Sequence, residues 1–100
     1  MRYEFHAEAL EEYTEAALYY ASVQPGLELR FISCVEDAVH RVLEAPKRWR
    51  IYDVDVRMCL THVFPYAVLY TIEADYILIL AVTHCHREPR YWRRRQPHKP

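Results

Sequence analysis

A chain of 100 residues with 52% apolar content has room for one small domain with a real core, burying about 60–65% of its unfolded surface. It excludes a disordered chain, and a single glycine argues against Gly-rich phosphate loops and many tight hairpins. The net charge of −1 conceals an asymmetry: residues 1–46 hold three arginines against nine carboxylates, and residues 47–100 hold ten basic residues against five acids. Six of those ten follow position 86: Arg87, Arg90, Arg93, Arg94, Arg95 and Lys99. Such a split points to a basic end that meets an acidic partner.

No run approaches the roughly 18 uncharged apolar residues of a membrane span, and the N-terminus has no apolar stretch behind Arg2 that reads as a secretory signal. A cytoplasmic protein without membrane contact is expected. Cys34, Cys59 and Cys85 include no CxxC pair. They read as small buried thiols in a reducing compartment rather than a disulfide framework.

In chain order, Arg2 to His6 alternates polar and apolar and predicts a short strand. Leu10, Tyr13, Ala17, Tyr20 and Ala21 then recur at helical spacing, with Glu8, Glu11, Glu12 and Glu15 opposite, giving an amphipathic helix from Ala7 to about Val23. Gln24-Pro25-Gly26 breaks it. A second helix runs from about Leu27, with Leu27, Phe31, Val35, Ala38, Val39 and Val42 on one stripe, and ends at Ala45-Pro46. So short a break makes the two an antiparallel hairpin.

After a basic connector (Lys47, Arg48, Arg50) the period becomes two. Val56 to Val63, Tyr66 to Glu73 and Tyr76 to His84 predict three strands with brief links, hence an antiparallel meander. The all-apolar run Ile77 to Val82 marks a strand covered on both faces. Arg87 to Gln96 reads as a short basic helix or turn, and residues 97–100 as a loose tail. The expected architecture is α+β, β-αα-βββ: a twisted antiparallel sheet packed against a helical hairpin, in one domain over residues 1–96. Val68, Tyr70, Ile79 and Val82 join the helix stripes in the core.

These residues resemble a known family. Ala-x-x-Tyr19-Tyr20, Pro25-Gly26-Leu27, Phe31 and Val35 are similar to the helical half of ParE-type toxins. Arg57 and Phe64-Pro65-Tyr66-x-Val68-x-Tyr70 resemble their mid-sheet. Ile79-Leu80-Ala81-Val82-x-His84-x-x-Arg87-x-Pro89-x-Tyr91-Trp92-x-x-Arg95 is similar to their C-terminal signature. The resemblance, to the RelE/ParE toxin superfamily and its ParE branch in particular, spans about Phe5 to Arg95. It implies a toxin of a type II toxin–antitoxin system of the kind associated with plasmid stabilization, neutralised by a cognate antitoxin that adds a helix to the hairpin and a strand to the sheet edge. Operator DNA would be reached only through the antitoxin complex. ParE members inhibit DNA gyrase by binding; RelE members cleave ribosome-bound mRNA.

RNA cleavage needs a base, an acid and cations around the phosphate. Alignment to the RelE pattern puts Ala67 and Cys85 where that branch has arginines, so the catalytic set is depleted and ParE-like binding is favoured. Were the chain a ribonuclease, Arg57, His84, Arg87 and Tyr91 would carry the chemistry. An inactive relative that only binds antitoxin is a third reading. The expected target-binding cluster is Arg87, Tyr91, Trp92, Arg93, Arg94 and Arg95, aromatics among arginines as in interface hot spots; its plain alternative is a solvated basic end with Trp92 closing the core. Arg57 otherwise reads as the partner of Asp53 or Asp55. A zinc site would need His62 or Cys59 to join His84 and His86, and their ordinary polar reading is preferred, so neither metal nor cofactor is expected.

Overall fold

The computed structural model describes residues 1–87 and 90–97. Five strands and two helices occur in the order β1 (Arg2–Phe5), α1 (Ala7–Val23), α2 (Leu27–Glu44), β2 (Ile51–Asp53), β3 (Val56–Leu60), β4 (Tyr66–Ile72) and β5 (Tyr76–His84), followed by a 3₁₀ turn at Arg93–Arg95. The fold is α+β, and the helical hairpin, the meander β3-β4-β5 and the basic end fall where the sequence puts them.

The sheet order is β1-β5-β4-β3-β2. Two details depart from the expected meander. β1 joins β5 in parallel, Arg2 beside Tyr76 through Phe5 beside Ile79, so the sheet is mixed rather than antiparallel throughout. The connector after α2 also contributes β2, which pairs Ile51 with Arg57 and Asp53 with Val56. With β1 and β4 on its two sides, β5 is central, as its unbroken apolar run requires.

His6 opens α1, its Nδ1 accepting from the Glu8 backbone N–H at 3.1 Å, which satisfies one of the helix's orphan donors. Gly26 lies between the helices at φ +94°, a left-handed turn that glycine adopts without Cβ strain. The stripe on α2 is buried from Phe31 to Val42. On α1 the stripe is shifted: Ala9 and Ala16 are the buried positions, and Leu10 is 50% exposed. Small side chains there let α1 sit close to the sheet.

The sheet separates two apolar clusters. Val68, Tyr70, Ile77, Ile79 and Val82 pack with the helices. Val56, Leu69, Leu78, Leu80 and Ala81 lie on the other face and are closed by Trp92. Consecutive Leu80 and Ala81 share that face because of a bulge: Leu69 pairs with Ala81 and Tyr70 with Ile79, leaving Leu80 as the extra residue. The three thiols are free. Cys59 is buried and Cys34 partly so, but Cys85 is exposed; it follows the last strand in a turn.

Candidate functional site

The C-terminal segment folds back across the sheet and is clasped by the acids of α1 and β2. Arg95 Nη1 and Nη2 reach Glu12 Oε1 and Oε2, both at 3.0 Å, a two-pronged pairing that suits a planar guanidinium and a carboxylate. Arg95 Nη1 also donates to the Leu80 carbonyl at 3.0 Å, and the Val82 backbone N–H donates to Glu12 Oε1 at 3.2 Å. β1 ends at Phe5 and His6 N donates to the Ile79 carbonyl. Past that point β5 is therefore bonded by two side chains instead of a neighbouring strand. A buried strand needs those groups satisfied, and Glu12 and Arg95 satisfy them.

Tyr91 completes the network, its hydroxyl donating to Glu12 Oε2 at 2.5 Å. Burial, reinforced by that carboxylate, pushes the Tyr91 phenol up to about 12. Further out, Arg94 pairs with Glu8, and Arg93 and Arg90 lie 2.8 and 3.5 Å from Asp53. Hydrogen bonding to Arg94 holds the Glu8 carboxyl below the usual range, and bonding to Arg93 does the same for Asp53. The acidic first half and the basic end thus neutralise one another within the molecule.

Beside this clasp the face of the sheet turned away from the helices holds an open groove of about 320 Å³. Met58, Leu60, Ala67 and Leu69 form its floor, with Arg50 and Tyr52 on one side and His84, Arg87 and Tyr91 on the other. The cations come from opposite sheet ends, because the connector after α2 and the turn after β5 both border this face.

The residues expected to share one exposed patch are divided. Arg87, Arg93 and Arg94 have side chains 53%, 48% and 63% exposed, but Trp92 and Arg95 are only 1% and 6% exposed. Trp92 fills the second apolar cluster and Arg95 turns its Nη1 and Nη2 donors to Glu12 and Leu80, which is the physical reason neither stands at the surface. Of the four ribonuclease candidates, His84, Arg87 and Tyr91 line the groove and Arg57 does not. Its neighbours Met58 and Leu60 face the groove, so Arg57 points to the helix side. There it donates to the Lys47 and Trp49 carbonyls at 3.1 and 2.7 Å and not to Asp53 or Asp55 as expected; Asp53 is held by Arg90 and Arg93.

His84 and His86 have ring centroids 5.4 Å apart, whereas Cys59 Sγ faces Ala38 on the helix side. Among the described residues no group of three His, Cys, Asp or Glu is arranged to hold a metal, and no helix is long and apolar enough to cross a membrane. Pro89 of the C-terminal signature, and Lys99 with the tail from His98 onward, lie outside the described residues.

The family profile of the ParE toxin of type II toxin–antitoxin systems, parDE, matches residues 3–89. The chain belongs to the ParE toxin family. No curated protein matches it. Among solved structures, a chain of the chromosomal ParDE toxin–antitoxin system from P. aeruginosa has the same fold, with a TM-score of 0.74 and 14% identity, covering 84% of this chain and 95% of that one. The order of helices and strands in this ParE-family chain is therefore that of a toxin scaffold.

Sequence reasoning missed Glu12, the hub of the C-terminal clasp. It sits among Glu8, Glu11 and Glu15 and reads as one more solvent-facing acid. The available signal was its complement: a basic end and an acidic first helix in one small chain. Arg50, counted only as part of a connector, was the other omission.

Proposed function

We propose that this ParE-family toxin arrests growth by binding DNA gyrase, without catalysis, in the cytoplasm, until a co-encoded antitoxin covers it. The observation that carries the reading is the composition of the groove. A phosphoryl-transfer site on RNA needs cations converging with an acid and a base. Here Ala67 and Cys85 line the groove where aligned ribonucleases have arginines, Arg57 is bonded away from it, and the Tyr91 hydroxyl is committed to Glu12. What is left is a concave apolar surface with cations at its borders, which suits macromolecular recognition.

The antitoxin part of the proposal is supported by the helical hairpin, which carries exposed Leu10, Leu18 and Leu29 at 50%, 65% and 66%. Apolar side chains of this kind fit an amphipathic helix laid along the hairpin. Such a segment orders on binding and releases when degraded.

A supercoiling assay with purified gyrase tests the target. Loss of supercoiling on stoichiometric addition of folded toxin, reversed by the antitoxin encoded beside it, is the expected result. Intact supercoiling together with site-specific cuts in translated messages would overturn the proposal.

A further inference from the structure

The groove on the uncovered sheet face is half of a longer trench. Past β3 it runs into a broader depression of about 700 Å³ bordered by Trp49, Arg48 and Arg41, and Arg50, Met58 and Leu60 line both parts. No Asp or Glu lines either part. Arg41 is compensated by Asp37 at 3.0 Å and Arg87 lies 3.7 Å from Glu12. Arg48 and Arg50, by contrast, make no ion pair or side-chain hydrogen bond among the described residues. Arg30, on α2, is also unpaired among the described residues, but Arg48 and Arg50 stand together beside an aliphatic floor, an excess of positive charge that a partner can offset.

The chemistry of that partner follows from the floor. Leu60 is 53% exposed and, with the partly exposed Met58, offers aliphatic surface. Two of the aromatic rings that would stack on unpaired bases already carry a guanidinium: Arg41 lies 5.5 Å from the Trp49 centroid, and Arg87 and Arg95 lie 3.9 and 5.0 Å from that of Tyr91, while Tyr52 packs beside the buried Trp92 at 6.1 Å. Single-stranded nucleic acid binds through positive grooves with several free stacking platforms, and here Trp49 and Tyr91 are taken. β3 is flanked by β2 and β4, and at its end beyond β2 the Leu60 carbonyl accepts from Arg41 Nη2 at 3.1 Å. An occupant therefore lies across the face instead of extending the sheet.

We infer that the trench from Arg87 across Leu60 to Arg48 docks an extended acidic polypeptide segment with an aliphatic anchor, and that this segment belongs to the toxin's protein target. The second clause rests on the toxin reading above; the first does not. The probe is a fluorescein-labelled ten-residue peptide of alternating Glu and Leu, compared with a Lys-Leu peptide and a ten-nucleotide oligo-U RNA. The Glu-Leu peptide is expected to bind with strong salt dependence and to shift the Leu60 and Leu69 amide resonances. Its affinity should fall at least tenfold in Arg48→Glu/Arg50→Glu and, independently, in Leu60→Asp, with both variants checked for native circular dichroism.

Equal binding of the Lys-Leu peptide, tighter binding of oligo-U, or shifts confined to other faces would overturn the inference. Gyrase separates the two readings. Inhibition by the wild type that the double variant retains in full sinks the docking surface and leaves the toxin reading. Peptide binding that the double variant loses, without any gyrase inhibition by the wild type, sustains the docking surface and sinks the gyrase reading.

Discussion

Glu12 and Arg95, 83 residues apart, meet through two hydrogen bonds of 3.0 Å each, with side chains only 11% and 3% exposed. Removing Arg95 leaves the Glu12 carboxylate with the Tyr91 hydroxyl, the Val82 N–H and Arg87, and removing the Glu12 charge leaves the guanidinium bonded to Leu80, so breaking this buried pair costs up to about 3–5 kcal/mol. Arg95→Met and Glu12→Gln are each expected to lower stability by that amount in urea unfolding. Glu12→Gln/Arg95→Met together should cost clearly less than the two singles summed, although the Leu80 carbonyl loses its partner. A fully additive pair would show that the contact contributes nothing.

Trp92 is the largest fully buried side chain, packed in the cluster that holds Val56, Leu69 and Leu80. Trp92→Ala should cost about 3–5 kcal/mol and expose that cluster to dye binding. Trp92→Phe, which keeps most of the volume, should cost markedly less. If Trp92→Ala leaves the melting temperature unchanged, the indole does not close the core.

Tyr70 and Tyr91 are both pushed up to about 12, burial being the main cause in each. Their protonated forms are favoured by folding, so this contribution is fully present below the ordinary phenol value near 10 and is lost as pH rises from there through about 12. Absorbance at 295 nm should show Tyr13, Tyr20, Tyr66, Tyr70 and Tyr91 ionising later than an ordinary phenol, together with alkaline unfolding. At the acid end the sign reverses. Glu8 and Asp53 are held below their ordinary values, so their contribution is present above about pH 4 and fades as pH falls through the lowered values. Added salt should shrink that acid-side effect, since both are surface pairings.

Backbone conformation supplies a fourth test, in two opposite directions. Val63 has φ +72° and is 81% exposed, so its branched side chain strains the turn and packs on little. Val63→Gly is expected to stabilise by about 1 kcal/mol. Gly26 at φ +94° has open space around a hypothetical Cβ, so Gly26→Ala should cost about 1 kcal/mol through the backbone alone, and Gly26→Asn less. Thermal unfolding of the three variants decides the signs.

The elements that were legible in the sequence are those whose residues repeat. The α2 stripe declares itself at three-and-four spacing, Pro25-Gly26 marks the hairpin, and Ile77 to Val82 can only be an inner strand. β2 was not legible, because three residues carry no period and Ile51-Tyr52-Asp53 is extended only through pairing with β3. The parallel pairing of β1 is also non-local, since nothing near Arg2–Phe5 encodes which strand it will meet. Leu10 misled for a different reason: hydropathy favours it over alanine, but the close approach of α1 to the sheet favours Ala9 and Ala16. At the candidate site the arginines could be read and their partners could not. A carboxylate on a helix looks the same whether it faces water or a guanidinium brought from the far end of the chain.

That long closure has a consequence during synthesis. Glu12 leaves the ribosome 83 residues ahead of the guanidinium that completes it, and the Leu80 carbonyl on the edge of β5 waits for the same group. Until Arg95 emerges, the nascent polypeptide lacks the guanidinium that pairs with Glu12 and bonds the Leu80 carbonyl.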